Sequence, residues 1–178
     1  MDFKEVLQKR RSVRKFSERK VEREVIRQVL EQVVRYAPSS RNSHSTRFLV
    51  VDDPEMLAHI AAMRDYGSAF VKGAPIAVLV LGDTTKTDLW VVNCAISTTL
   101  LLLALEEAGL RGCWVHVQDR PVLKDQPEGK KAVEHLRERL SIPEECEVLC
   151  AVACGYSDFE PAPLPEWDQS DAILFLEE

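Results

Sequence analysis

Lys9-Arg10-Arg11-Ser12-Val13-Arg14 and Ala37-Pro38-Ser39-Ser40-Arg41-Asn42-Ser43-His44 are the two stretches on which the reading of this chain turns. The first sets three guanidinium groups and a hydroxyl within five residues, and a guanidinium offers a fixed fork of donors suited to phosphate oxygens. The second offers hydroxyl and amide side chains in a turn held by Pro38. Together they suit a phosphorylated, hydrogen-bond-rich ligand. Counting charge alone, seven Lys or Arg fall among the twelve residues 9–20, and such a run reads equally as a solvated basic helix end or a nucleic-acid patch.

Composition narrows this. A chain of 178 residues suits one domain over residues 1–178, long enough to bury a real core. A net charge of -6 argues against a general nucleic-acid binder, whose affinity needs positive charge over a whole face. The amino terminus lacks the basic-then-apolar layout of a secretory signal, so a cytoplasmic location is expected. Five cysteines fit reduced thiols better than a disulfide frame. Cys146, Cys150 and Cys154 invite a metal reading, but four residues along a strand span about 13 Å, too far for one metal with bonds of about 2.3 Å.

Asp2 followed by Glu5 predicts a capping-box start to a short helix with Phe3, Val6 and Leu7 on its apolar face. Its carboxyl end then delivers Arg10 to Arg14, where the helix dipole favours cations. Val21, Val25, Ile26, Val29, Leu30, Val33, Val34 and Ala37 recur at helical spacing over 21–37. Pro38 ends that helix, and residues 39–45 have turn composition. Phe48-Leu49-Val50-Val51 reads as a strand. Asp53-Pro54 predicts a capped helix over 54–64 with Met56, Leu57 and Ile60 inward, and residues 65–74 read as a loop that could serve as a mobile cover.

Ile76-Ala77-Val78-Leu79-Val80-Leu81 is the continuous apolar run of a strand buried on both faces. Asp88 is expected to cap a long helix closed by a left-handed Gly109. Its uncharged stretch 89–105 approaches the lower length limit of a membrane span. Asn93, Ser97, Thr98 and Thr99 interrupt it, which predicts a helix buried in a core or at an oligomer interface, with no membrane involved. Cys113 to Val117 and residues 147–156 read as strands, and 128–140 as an exposed amphipathic helix. His59 and His135 fall on predicted helices as surface residues. Pro161, Pro163 and Pro165 mark an extended tail over 157–178 without Lys or Arg. Its apolar stretch 172–176 is predicted to add to a sheet or wrap a partner subunit.

Arg10-Arg11-Ser12-Val13-Arg14 and, one helix later, Ala37-Pro38-Ser39-Ser40-Arg41-Asn42 resemble the R-R-S-x-R and A-P-S-S-x-N-x-Q patterns of the nitroreductase family of flavin mononucleotide (FMN) enzymes. Leu105-Glu106-Glu107-Ala108-Gly109-Leu110-Arg111-Gly112-Cys113-Trp114 is similar to the family's central helix running into a G-L-G-x-x-W strand, and Gly155-Tyr156 closes the last core strand. In order and spacing these motifs cover residues 1–156. The resemblance implies an α+β fold with a central, mainly antiparallel sheet flanked by helices. It also implies an intertwined homodimer packed around the long helix, with the extended carboxyl-terminal segment on the partner.

The resemblance further implies an FMN-dependent oxidoreductase, passing hydride in ping-pong fashion from NADH or NADPH through FMN to a nitroaromatic, quinone or similar small acceptor. Arg10, Arg11, Ser12 and Arg14 would hold the phosphate, ribityl chain and pyrimidine side of the flavin. Pro38, Ser39, Ser40 and Asn42 would come from the other subunit, and the backbone of Trp114, Val115 and His116 would approach the reactive edge. His44 stands at the family's Gln position and is the candidate substrate-binding residue. No catalytic nucleophile and no metal ligand is implied. Three departures stand out: a tail with no Lys or Arg to complete the phosphate clamp, for which Arg120 or Lys124 could substitute; Ser45-Thr46 in place of Pro-Trp; and no helical lid. They leave open a non-catalytic or degenerate flavin-binding protein, or another flavin chemistry, dehalogenation or flavin fragmentation, on the same scaffold.

Overall fold

The computed structural model describes residues 1–168 and 172–176. Its elements follow as α1 (Phe3–Lys9), α2 (Arg23–Tyr36), β1 (Thr46–Val51), α3 (Pro54–Ala61), β2 (Ile76–Asp83), α4 (Trp90–Glu107), β3 (Arg111–His116), α5 (Ala132–Arg137) and β4 (Cys146–Gly155), with 3-10 turns at Ser40–Asn42 and Ala69–Gly73. Among the described residues the strands form one sheet in the order β1-β2-β4-β3, each pair antiparallel. This is the expected α+β arrangement of an antiparallel sheet flanked by helices.

The period of two along β2 divides the core. Ile76, Val78 and Val80 turn to one face, where Ile26, Val29 and Val33 of α2 and Leu101 and Leu105 of α4 cover them. Ala77, Leu79 and Leu81 turn to the other, against Leu57 and Ile60 of α3 and Leu136 of α5. Leu149 interrupts this alternation as a bulge in β4: the register with β2 slips between Val80 and Leu81. The carbonyl of Leu149 then accepts from both Val117 N (3.0 Å) and Gln118 N (3.1 Å), which turns the chain away at the end of β3.

Helix α4 is long and apolar enough, by length and composition only, to cross a membrane. Four of its polar residues, however, are buried against this chain: Asn93 reaches the Ser40–Asn42 turn, Ser97 donates to Thr46 (3.2 Å), Thr98 donates to Cys94 O (2.7 Å) and Glu106 pairs with Arg111. Gly109 closes it with φ +76°, where a side chain would be strained. All five cysteines are free and buried. Burial pushes the thiols of Cys150 and Cys154 up to about 12 and that of Cys94 to about 11.

Several local expectations are corrected. Asp88 does not cap α4; the helix begins at Trp90, Leu89 N donates to Thr87 Oγ1 (3.1 Å) and the Asp88 carboxylate only accepts from that hydroxyl. The 54–64 helix stops at Ala61 because Ser68 Oγ donates to the carbonyls of Ala61 (2.8 Å) and Arg64 (3.0 Å), folding 65–74 back against α3 with Val71 fully buried. That segment is packed rather than a loose cover. The 128–140 helix shrinks to Ala132–Arg137, since Val122 N donates to Lys130 O (2.9 Å) and Ala132 N to Arg120 O (2.8 Å), holding Lys131 extended in a bridge with Pro121.

His59 and His135 are not surface residues. Their rings stack with centroids 4.1 Å apart, each bonding through Nε2 to the other's carbonyl. Of the α1 face only Val6 is buried, while Phe3 and Leu7 stay exposed. Within the tail, residues 169–171 and 177–178 lie outside the described residues; Ile173 to Leu176 pair with no described strand and are exposed, Leu176 fully.

Candidate active site

The first polar patch is set by the end of α1. The Asp2–Glu5 capping box starts the helix, and Arg10 N donates to Val6 O (2.9 Å) as it closes. Val13 is then wholly buried and its N–H donates to Gly112 O (3.2 Å), while Ser12 bridges Gly112 in parallel. Since neighbours in an extended segment alternate sides, Ser12 and Arg14 are left exposed along the outer edge of β3. Arg14 lies over the ring of Phe70 (5.7 Å). Arg11 turns back, its Nη1 donating to Gln8 O (2.7 Å) and Arg10 O (2.8 Å), and its Nε is buried with no partner. None of Arg10, Arg11 and Arg14 forms an ion pair with a described carboxylate.

The outer edge of β3 presents alternate peptide groups. Gly112 O accepts from Val13 N, and His116 O accepts from Arg64 Nη1 (2.8 Å). By ladder alternation Trp114, between them, also turns its peptide N–H and C=O away from β4. The rings of Trp114 and His116 stack on one face of the strand, 6.2 Å apart and 16° from parallel, while Val115 is buried on the opposite face. Arg64, which sequence reasoning missed, holds this edge: its Nε and Nη2 donate to Tyr66 O (3.2 Å each) and its guanidinium lies over the Tyr66 ring (4.4 Å). Burial lowers the pKa of Arg64, and burial followed by the charges of Arg120 and Arg64 lowers that of His116, keeping its imidazole neutral at neutral pH.

Arg120 stands in the turn after β3, its N–H donating to Val117 O (3.1 Å). The step from Gly112 to His116 is about 13 Å of strand, so Arg120 belongs to the His116 end and not to the Arg10 end. Lys124 gives its backbone N–H to Asp65 (3.0 Å).

The second patch is shaped by Asn93, another residue without a sequence signal beyond a lone amide in an apolar helix. Only 1 % exposed, it accepts from Ser40 N (2.9 Å) and donates to Ser43 Oγ (3.1 Å) and Ser45 Oγ (2.9 Å). Ser39 Oγ accepts from His44 N (3.1 Å). Arg41, Asn42 and His44 all have positive φ (50°, 54° and 45°), a conformation that non-glycine residues seldom take and that tends to mark functional turns. Pro38, Asn42 and His44 are exposed, and Ser39 and Ser40 half-buried.

The structure brings Arg10, Ser12, Arg14, Trp114 and His116 to one sheet edge. Pro38 to His44 precede β1, at the other. Three strand spacings, about 14 Å, separate the two edges, so one chain does not join the patches.

The family model described as the nitroreductase family matches residues 7–65 and 54–156. A protein of Methanothermobacter thermautotrophicus that carries the name NADH dehydrogenase/NAD(P)H nitroreductase is 34% identical over 164 residues, 90% of this chain and 80% of its own length. One from Archaeoglobus fulgidus with the same name is 31% identical, over 83% of this chain and 80% of its own. Among solved structures, an FMN-dependent nitroreductase from Clostridium difficile superposes with a TM-score of 0.86 at 32% identity, covering 96% of each chain.

Proposed function

This chain belongs to the nitroreductase family, and on that premise we propose that it is an FMN-dependent oxidoreductase that uses NADH or NADPH to reduce a nitroaromatic, quinone or similar small acceptor. The observation that carries the reading is the outer edge of β3, where cations that no described carboxylate pairs, a hydroxyl and outward peptide groups lie side by side. The fit to FMN is chemical: the orphaned, buried Nε of Arg11 and the charges of Arg10 and Arg14, which no described carboxylate balances, call for an anionic, acceptor-rich ligand. When bound, the flavin supplies the two-electron chemistry itself.

The chain's own residues supply the setting. Arg10 and Arg14 would neutralise the phosphate and favour negative charge on the ring system, and Ser12 would donate to the sugar-alcohol chain. The outward N–H groups of Trp114 and His116 serve as fixed donors, and their stacked rings exclude water from one side. Pro38, Ser39, Ser40 and Asn42 cover the site from a second copy, with His44 facing the acceptor.

A homodimer is therefore part of the reading. Its supports are the separation of the two patches, the exposed apolar groups Phe3, Leu7 and Tyr36, and the tail. That tail is apolar and acidic, and a groove of about 720 Å³ between α2 and β1, lined by Phe48, Val50, Leu30, Arg23, Arg27 and Arg35, complements it in both respects. The free, buried thiols support a reducing, cytoplasmic setting.

The test is the visible spectrum of the purified protein with and without NADH or NADPH, in the absence of oxygen. A yellow protein that bleaches is expected. A yellow protein that does not bleach points to flavin binding without turnover, and a colourless one that takes up no added FMN overturns the reading.

A further inference from the structure

Asn93 lies in the first turns of α4, buried beneath the Ser40–Asn42 turn. It is the buried residue that gives the turn its shape. Its carboxamide uses both ends: Oδ1 takes the N–H of Ser40, and Nδ2 serves the hydroxyls of Ser43 and Ser45. Those contacts bracket Arg41, Asn42 and His44, the three residues held at positive φ. Each such conformation is unfavourable for a residue with a Cβ and persists only where the surroundings over-determine it. Around this turn the other hydrogen bonds are Asn42 N on Ser39 O and Ser43 N on Ser40 O (3.0 Å each), Ser39 Oγ on His44 N, Lys86 Nζ on His44 O (3.2 Å) and Asp83 N on Ser45 O (2.8 Å); among the described residues none of these ties the turn to α4, which Asn93 alone does.

We infer that Asn93 is a positioning residue for the cofactor: from α4 it holds the Pro38–His44 turn in the strained form that completes the flavin site of the opposite copy. This rests on the function proposed above. The amide is suited to the task because one group must accept from a backbone N–H and donate to two hydroxyls at once. Leu has nearly the same shape and can do neither. Asp keeps the acceptor for Ser40, and the hydroxyls of Ser43 and Ser45 can rotate to donate to it.

The experiment compares wild type, Asn93→Leu and Asn93→Asp as full chains, by FMN titration and by the absorption band of the bound flavin. Asn93→Leu is expected to weaken FMN binding by about tenfold or more and to shift the flavin band toward that of free FMN, with far-ultraviolet circular dichroism unchanged. Asn93→Asp is expected to stay within about threefold of wild type, a rescue that a mere packing role would not give. Should Asn93→Leu fold poorly, the Ser43→Ala/Ser45→Ala pair, which removes the hydroxyl partners and leaves α4 intact, is expected to weaken FMN in the same direction. FMN affinity within about twofold of wild type in Asn93→Leu, or in the serine pair where that variant fails to fold, overturns the inference. A wild-type protein that binds no FMN overturns the proposed function instead.

Discussion

His59 and His135 clamp α3 to α5 with two reciprocal bonds, and both imidazoles must keep Nε2–H as a donor to a carbonyl. Protonating His59 places a cation against the face of the stacked ring. Arg139 adds to this positive field, while Glu138, 3.8 Å from His135 Nδ1 and also paired with Lys130, opposes it. Burial is the main cause that lowers the pKa of His59 below its ordinary value of 6.5, followed by the charge of His135. A depressed histidine is neutral in the fold and protonated in the unfolded chain, so its contribution is full above 6.5 and declines as pH falls from there toward the folded value. Denaturant midpoints measured from about pH 8 to 5 should fall with acidity, and His59→Gln, which keeps a donor for His135 O, should flatten that slope. An unchanged slope would remove His59 from the account. At this scale the sequence showed the cationic and hydroxyl side chains of both patches. It could not show Arg64, Asn93 or the histidine stack, because each acts on a backbone carbonyl or amide that only folding brings within reach.

Among the elements, those whose partners are dictated by their own period were legible. The helical spacing of Ile26, Val29 and Val33 and the unbroken run from Ile76 to Leu81 each led to the observed element. The start of α4 and the extent of α5 were not, since a threonine hydroxyl and a long-range backbone pair decided them against local propensity. The docking of α4 on the sheet is set by Gly82, where an added Cβ would lie 2.4 Å from Trp90 Cε3 and 3.1 Å from Cys94 Sγ. Gly82→Ala should therefore displace the first turn of α4 and cost about 1–3 kcal/mol of stability, the usual range for overpacking. Urea unfolding reads this directly, and a variant as stable as wild type would show that Trp90 swings clear without strain.

For the whole molecule, the apolar residues that find no cover are informative. Phe3, Tyr36, Leu174, Phe175 and Leu176 are each more than two-thirds exposed, and apolar surface gathered on terminal segments marks an interaction site more often than an accident. Ending the chain after Asp158 keeps Ser157 Oγ on Lys15 O (2.6 Å) and removes only the tail. The expected result is a dimer dissociation constant raised about tenfold or more in sedimentation velocity, with loss of bound flavin following the loss of dimer. A truncated chain that remains as dimeric as wild type would assign the tail elsewhere. The resemblance in sequence pointed to such a partnership; no spacing or composition could say which sheet edges it would join.

The placing of the two patches on opposite edges of one sheet has a genetic reading. In the proposed two-fold pair each pocket would draw its cationic half from one copy and its turn from the other. A copy carrying Arg10→Ala, paired with a copy carrying Asn93→Leu, gathers both lesions into one pocket and leaves the other wholly wild type. Two alleles that are each defective alone are thus expected to complement when expressed together, whereas two lesions within the same patch are not.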